Sequence, residues 1–590
     1  MILIGLSPTS HESAVGVLID GRIVAAASEE RFSRVKNQGG FPFRALEFCL
    51  KRAGVDPRDV DHVAYAALPY RKERLRDVVN YGQNLRYIAS SGGSAKSRLF
   101  HVANYTRSLA LNKDWVGGKH ETLIRDSLRG FGLDQKVVFV DHHLAHCASA
   151  YFTSGFERAL VVSLDGYGSG NAGSFYIGEG GKLRLLSAIP YPHSLGTFYR
   201  RVTQALGFTP NRHEGKIVGL AAFGDPSKLY DLVKARFNLE HDDYYRFISS
   251  QDPFFEKELA KHHSREDIAA AYQRVLEDVA VHYVKKWLAK TGATKVACAG
   301  GVFANVKMNQ RIMEIDGVSE LFVFPAMADS GVGVGAALAL NSDLTKAEPA
   351  RLSDVYLGPS YTDAEIEQAL RASGLPFARS ANVVDDIVDR LVKNKVVARF
   401  GGAMEFGPRA LGNRSILYPA LEPEVNKWLN DRLRRTEFMP FAPISLAERA
   451  SDLYVNVERV RYTAEFMTVT TDCTARMRAE SPAAVHVDGT ARPQLVRAES
   501  NPVIHRILRR YEERTKIPTL INTSFNMHEE PIVCSPEDAI RAFKDGNLEV
   551  LALGDYLVES TASAADGKRP GGRSAAGAEA ASSTPGHAAS

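Results

Sequence analysis

"TKVACAGGVFANVKMNQ", residues 294–310, sets a short apolar run against two glycines and then a new helical pattern. Strand, glycine-rich turn and helix are how α/β folds build anion and nucleotide sites, because backbone amides and the helix N-terminus face the ligand. Residues 320–340, "ELFVFPAMADSGVGVGAALAL", repeat the same grammar at once. Just upstream, residues 264–290 carry Ile268, Tyr272, Val275, Val279 and Tyr283 at helical spacing, and Ser264 followed by Asp267 resembles a capping box. A long amphipathic helix is predicted to feed the first of two adjacent strand–turn–helix units.

The pattern extends towards the N-terminus. Residues 1–30 alternate β-branched runs with turn residues, and "IDGRI" (19–23) supplies an Asp-Gly hairpin turn. In residues 158–189 a strand meets Asp165-Gly166, and "GEGGK" turns the next hairpin, so the opening grammar returns. Residues 70–118 between them are basic and aromatic with an "SSGGS" break; they read either as a solvated helical pair with a joint or as a lid over an acceptor substrate. Polar, proline-bearing residues 341–360 mark a boundary, beyond which 385–415 read as helix, strand and basic glycine-rich loop of a second α/β domain. From Glu559 the chain is nearly all Ala, Gly, Ser and Pro; residues 559–590 are expected to be a disordered tail.

With 590 residues the chain is long enough for two or three domains. A net charge of +4 gives no field of the kind that draws nucleic acid or an anionic membrane, so neither partner is expected. No leader pattern or long apolar window is apparent, which predicts a cytoplasmic protein. The five cysteines, Cys49, Cys147, Cys298, Cys473 and Cys534, are scattered without a C-x-x-C, and are expected to be buried thiols.

One stretch concentrates titratable groups: "DHHLAHCASAY", residues 141–151. His142 and His146 are four apart, so on a helix they share a face and can reach one ion, while His143 points elsewhere. Two aspartates join them, each directly after an apolar strand: Asp165 in "SLDGYGSG" and Asp329 in "AMADSGVG". Two imidazoles and two carboxylates suit iron(II), zinc or manganese with positions open to a substrate oxygen; spacing alone does not choose the ion.

The motifs "SHESAVGVLIDGRIVAAASEERFSRVKN", "DHHLAHCASAY", "SLDGYG", "EGKIVGLAAFGDP", "AGGVFAN", "FPAMADSGVGVGAAL", "EFGPRALGNRSIL", "TEFMPFAP", "DGTARPQ" and "LINTSFNMHEEPIVCSPEDAI" follow one another over residues 1–558. In content and order the sequence resembles the carbamoyltransferase family of NodU and the antibiotic O-carbamoyltransferases acting on tobramycin and cephamycins. The resemblance implies an α/β protein with an actin/Hsp70-like domain over residues 1–345, similar to the tRNA threonylcarbamoyl-transfer enzymes, and a YrdC-like domain over 346–558. It implies ATP, used with Mg2+, and carbamoyl phosphate as small-molecule substrates, converted to carbamoyl-adenylate and pyrophosphate. The carbamoyl group then passes to a hydroxyl of a sugar or secondary metabolite, and AMP leaves. A homodimer is compatible with it.

Residue by residue, the resemblance makes His142, His146, Asp165 and Asp329 ligands of a metal, usually Fe2+. Gly301, Asn305 and Lys36 match carbamoyl-adenylate contacts, although by itself Lys36 reads as a solvated loop charge. His11 in "SHESA" matches a general base, a role for which a near-neutral imidazole is suited; alone it reads equally as a turn histidine. Arg409, Arg414, Arg435 and Arg492, with Asn522, Ser524 and Asn526, match the ATP and carbamoyl phosphate side, where guanidinium forks bind phosphate oxygens. The chain departs from the family around Leu433, Arg434, Arg435, Thr436 and Met439, which implies that one phosphate contact is lost or moved. Two rivals remain: a HypF-like carbamoylation of a protein thiol, for which the expected cysteine pairs and leading acylphosphatase domain are not apparent, and an actin-like ATP-binding sensor, which would not need the "NTSFN" and arginine set.

Overall fold

The computed structural model describes residues 1–7, 11–90, 99, 102–103, 119–247, 254–434 and 438–560. Expectations for the tail beyond residue 560, for most of 91–118 and for Arg435 and Thr436 therefore lie outside the described residues.

The first half is built from two sheets with one topology. In the first, β1 (Ile2–Ser7), β2 (Ala14–Ile19), β3 (Arg22–Ser28), β4 (His62–Tyr65) and β5 (Val137–Phe139) lie in the order β3-β2-β1-β4-β5. The β1–β2 and β2–β3 pairs are antiparallel, and β1–β4 and β4–β5 are parallel. In the second, β6 (Arg158–Gly168), β7 (Asn171–Glu179), β8 (Lys182–Pro190), β9 (Lys295–Ala299) and β10 (Glu320–Val323) take the order β8-β7-β6-β9-β10 with the same alternation of directions. The repeated sequence grammar is thus a repeated fold, two five-stranded sheets with the same strand order and the same alternation of directions. Both sheets close their second hairpin, β2–β3 and β7–β8, on the expected turns: Asp20 and Gly21 have φ of 49° and 76°, and Gly180 and Gly181 have 54° and 69°, as a right-twisted two-residue turn requires.

Helices fill the space between the sheets. α1 (His142–Ser154) starts at Asp141, whose carboxylate accepts the backbone N–H of His143 and Leu144, and stops at Gly155 in the left-handed region. It packs on α2 (Val332–Leu344) so closely that a Cβ on Gly335 would lie 1.9 Å from the Ala145 carbonyl oxygen. The long helix α3 (Arg265–Thr291) forms where the spacing placed it, with Ile268, Tyr272, Val275, Val279 and Tyr283 buried. Ser264 caps it, but Asp267 does not close a capping box; its carboxylate instead accepts from the Asp225 N–H and the Lys228 ammonium.

Residues after 362 form a mixed α/β unit on one eight-stranded sheet. Its strands β11 (Ala378–Arg379), β12 (Val397–Phe400), β13 (Arg414–Pro419), β14 (Ala442–Leu446), β15 (Gln494–Val496), β16 (Thr519–Ser524), β17 (Val550–Leu553) and β18 (Tyr556–Glu559) run in the order β11-β18-β17-β12-β13-β16-β14-β15. This unit leans on the first half through Arg31 donating to the Gly407 carbonyl, Arg34 donating to the Pro531 and Ile532 carbonyls, and Phe322 stacked on Tyr462 at 4.8 Å. All five cysteines are buried and free. Among the described residues no helix is long and apolar enough to cross a membrane.

Candidate functional site

Three segments converge where the two duplicated sheets meet. Helix α1 presents His142 and His146 on one face, the end of β6 presents Asp165, and the turn between β10 and α2 presents Asp329. Their ligand atoms all lie within 4.8 Å of one another. His142 Nε2 is 3.2 Å from Asp165 Oδ2 and 3.5 Å from Asp329 Oδ1; His146 Nε2 is 3.5 and 3.4 Å from the same two atoms. Four ligands held about 2.1 Å from one ion at tetrahedral angles stand about 3.4 Å apart, so the donor set fits a first-row divalent metal.

The electrostatics agree. Both ring nitrogens of buried His146 lack a hydrogen-bond partner although two carboxylates face Nε2, as expected of a lone pair aimed at a cation. Burial works against the charge on His142, yet Asp329 and Asp165 outweigh it and raise its imidazole to about 9. Burial likewise opposes ionisation of Asp165, but His142 and His146 hold its carboxyl well below the usual range. His143 is separate: its Nδ1 meets Ser163 Oγ at 2.9 Å, and burial with the His142 charge pushes it down to about 4. It belongs to the packing of α1, as the spacing predicted.

Glycines let these elements close. Gly301 donates its N–H to Asp165 Oδ1 at 3.2 Å, and a Cβ there would sit 2.9 Å from that atom. Gly300, at φ 109°, abuts the Leu164 carbonyl. The pair read in the sequence as room for a nucleotide is therefore also demanded by packing on the strand that carries Leu164 and Asp165. A Cβ on Gly168 would fall 2.0 Å from His142 Cδ2, whereas nothing lies within 4 Å of one on Gly166. Gly168→Ala is accordingly expected to weaken divalent-metal binding about 10–100-fold, the scale of a displaced ligand orientation, with Gly166→Ala close to unchanged, as read by metal titration of the purified chain.

His11 approaches the same carboxylate from the other side. Its Nδ1 lies 3.7 Å from Asp329 Oδ2, with the side chain 38% exposed. Burial lowers its imidazole pKa, but Asp329 and Glu12 outweigh this and raise it. Sequence reasoning missed Glu12, which sits at φ 59° and whose carboxyl burial and Asp329 raise to about 7; no local pattern marks it.

The adenylate-side residues divide. Lys36 lies at the seam between the halves, where its carbonyl accepts from Arg212 and its charge helps hold Glu529 below the usual range against the effect of burial. Asn305 is buried: it caps the helix Val306–Met313 through Met308 N–H and exchanges hydrogen bonds with Gln273 at 2.8 and 3.0 Å. In the second unit Asn522 donates to the Ala410 carbonyl and to Gln494 Oε1, tying the Arg409 loop to the strand that follows Arg492. Ser524 ends β16 half-buried, and Asn526 donates to the Met527 and Glu530 carbonyls. Arg414 differs from its expected setting. It is 0% exposed, donates to the carbonyls of Pro359, Gly401, Gly402 and Asn413, and places its guanidinium 3.7 Å from the Phe400 ring centroid. Its fork is turned into the chain, so it braces the glycine-rich loop in place of lining an open phosphate site. The loop reaches the first half at Gly407, where a Cβ would sit 3.1 Å from the Pro325 carbonyl oxygen, four residues before Asp329.

Comparison with known proteins follows this geometry. Residues 2–338 match the family model described as carbamoyltransferase N-terminus, and residues 388–560 match carbamoyltransferase C-terminus. An uncharacterized protein of Methanocaldococcus jannaschii is 35% identical, covering 94% of this chain and 99% of its own, and nodulation protein NolNO of Sinorhizobium fredii is 32% identical, covering 95% and 80%. Among solved structures, full-length HypF in its phosphate- and nucleotide-bound form aligns with 58% of this chain and 55% of its own at 14% identity and a TM-score of 0.31. With both family models spanning most of its length, the chain belongs to the carbamoyltransferase family, and it is a transferase.

Proposed function

We propose that the chain is an ATP-dependent O-carbamoyltransferase, with carbamoyl transfer in residues 1–345 and adenylate formation in the YrdC-like 346–558. One observation carries the reading: two histidines and two aspartates from three segments converge on one ion's worth of space, with His11 against the outer oxygen of Asp329. A pure nucleotide sensor has no use for that set. In this reading water hydrolyses carbamoyl phosphate to carbamate and phosphate, and a carbamate oxygen then bonds to the α-phosphorus of ATP as the bond to pyrophosphate breaks, giving carbamoyl-adenylate. An acceptor hydroxyl oxygen then bonds to the carbamoyl carbon, the bond from that carbon to the AMP phosphate oxygen breaks, and AMP departs.

His142, His146, Asp165 and Asp329 would hold a divalent ion, with Fe2+ as the family's usual choice. When bound, such an ion supplies Lewis-acid stabilisation of charge on oxygen. His11 takes the proton of the hydroxyl as the new bond forms. Arg409, Arg492 and Ser524 would face the triphosphate and carbamoyl phosphate, with Mg2+ accompanying ATP, while Arg414 and Asn522 keep the surrounding loop in place. The loop that carries Arg409 abuts the first half where Gly407 packs on Pro325, four residues before Asp329.

The test is pyrophosphate release from ATP by the full chain. It is expected only when carbamoyl phosphate is present, and to fall at least about 10²-fold in Arg492→Ala or Ser524→Ala, the scale of a lost charge-stabilising donor. ATP turnover indifferent to carbamoyl phosphate would favour the sensor.

A further inference from the structure

The helix Val306–Met313, capped by Asn305, belongs to the first half by sequence, yet three of its side chains are held by the second unit. Asn309 donates to the Thr468 carbonyl at 2.7 Å, and Gln310 accepts from the Thr470 hydroxyl at 2.8 Å. Lys307 Nζ meets Asp488 Oδ2 at 2.8 Å. Thr471–Asp472 and Thr490–Ala491 are paired antiparallel, so the helix grips both strands of one ribbon. The second of those strands runs directly into Arg492 and then into β15.

The Lys307–Asp488 pair is the charged contact of this grip, with side chains only 12% and 27% exposed. Asp488 Oδ1 accepts from the backbone N–H and the hydroxyl of Thr490 at 3.1 and 2.6 Å, and His486 Nδ1 stands 3.4 Å from the same oxygen. Burial opposes the charge on Asp488, but His486, Lys307 and Thr490 outweigh it and hold the carboxyl well below the usual range. One carboxylate therefore fixes the turn Asp488-Gly489-Thr490, with Gly489 at φ 80°, and anchors it to the helix of the other half. Glu277 of α3 also feels the Lys307 charge, but it accepts from Gln273 at 2.7 Å and faces Arg311 at 3.6 Å. Removing one partner of such a shielded pair leaves the other charge without its counter-ion, and the turn two residues before Arg492 loses its anchor.

We propose that Lys307 is a positioning residue for Arg492: acting through Asp488, a side chain of the first half sets the geometry in which the second unit handles ATP. Pyrophosphate release then depends on a residue outside the unit that performs it. This rests on the adenylate-forming reading of residues 346–558 given above, but the anchor can also be read without turnover.

Lys307→Met and Asp488→Asn, singly and together, test it in the full chain through carbamoyl phosphate-dependent pyrophosphate release over a range of ATP concentrations. ATP affinity by equilibrium dialysis and divalent-metal titration accompany the rates. Each single change is expected to lower kcat/KM for ATP about 10–100-fold, the scale of a positioned group displaced by about 1 Å. The double variant should lose no more than the worse single one, because both remove the same contact. Lys307→Arg keeps the cation and should retain most of the rate. Metal affinity, which a general loosening of the first half would lower, should not change in any of them. Unaltered kcat/KM in Lys307→Met, additive losses in the double variant, a Lys307→Arg chain as impaired as Lys307→Met, or metal affinity falling with ATP turnover would overturn the proposal. An unsubstituted chain that released no pyrophosphate would bring down the adenylate reading by itself. Dialysis would then decide the anchor: weaker ATP binding in both single variants supports it, and unchanged or absent ATP binding overturns it.

Discussion

Alanine at His142 or His146 is expected to strip the purified chain of its divalent metal, from about one ion per chain to none measurable by elemental analysis, and to depress carbamoyl transfer beyond detection in a single-turnover assay. The size of the effect follows from the geometry. Removing an outer partner of a ligand costs roughly 10–100-fold in affinity, and here a ligand itself disappears from a set of four whose nitrogen and oxygen atoms stand 3.2–3.5 Å apart. The loss also leaves Asp165 and Asp329 facing each other with one imidazole between them. Carbamoyl phosphate-dependent pyrophosphate release should persist, because Arg492 and Ser524 belong to the other unit. His143→Ala is the internal control: its ring bonds to Ser163 within the core, so it should cost stability and keep the metal. Full metal content in both His142→Ala and His146→Ala would remove the assignment.

The fold was legible wherever local chemistry dictates local structure. Asp20-Gly21 and Gly180-Gly181 announce their hairpins because few residues tolerate positive φ at both turn positions, and α3 shows itself through the spacing of Ile268, Tyr272, Val275, Val279 and Tyr283. The candidate cluster of two histidines and two aspartates was legible for a related reason: His142 and His146 share a helix face, Asp165 lies near the end of apolar β6, and Asp329 lies in the turn beyond apolar β10, on the side that folds of this class turn towards ligands. What stayed hidden depends on contacts far apart in sequence. Nothing in "YRKERLRD" (residues 70–77) distinguishes Glu73, buried against Tyr167, from its exposed neighbours Arg71, Lys72 and Leu75; only docking of the helix on the loop 90 residues later separates them. Arg414 misled in the opposite direction. An arginine in a glycine-rich loop reads as a phosphate ligand, yet four inward-facing carbonyls and the Phe400 ring claim its guanidinium. Glycines 300 and 301 were readable as sites of close approach, but what approaches them is the strand carrying Leu164 and Asp165, while nothing in the sequence marked Gly168, which presses on His142.

His11→Ala is expected to slow carbamoyl transfer by about 10²–10⁴-fold, the usual worth of a positioned general base, while metal content and carbamoyl-adenylate formation persist. The two oxygens of Asp329 explain why the effects separate. Oδ1 faces His142 and His146, whereas Oδ2 faces His11 Nδ1 at 3.7 Å. His11 thus stands beside the ligand set without belonging to it, and its removal leaves all four ligands in place. With 38% of the side chain exposed, the imidazole can meet an incoming hydroxyl. Alanine there removes one partner of Asp329, which His142 and His146 still face, so the fold should hold. Starved of its base, the variant should accumulate the intermediate or lose it to water, visible as AMP and free carbamate without carbamoylated product when quenched reactions are analysed by mass. Near-normal transfer in His11→Ala would reduce the residue to a turn position, and loss of metal along with transfer would make it a support of Asp329.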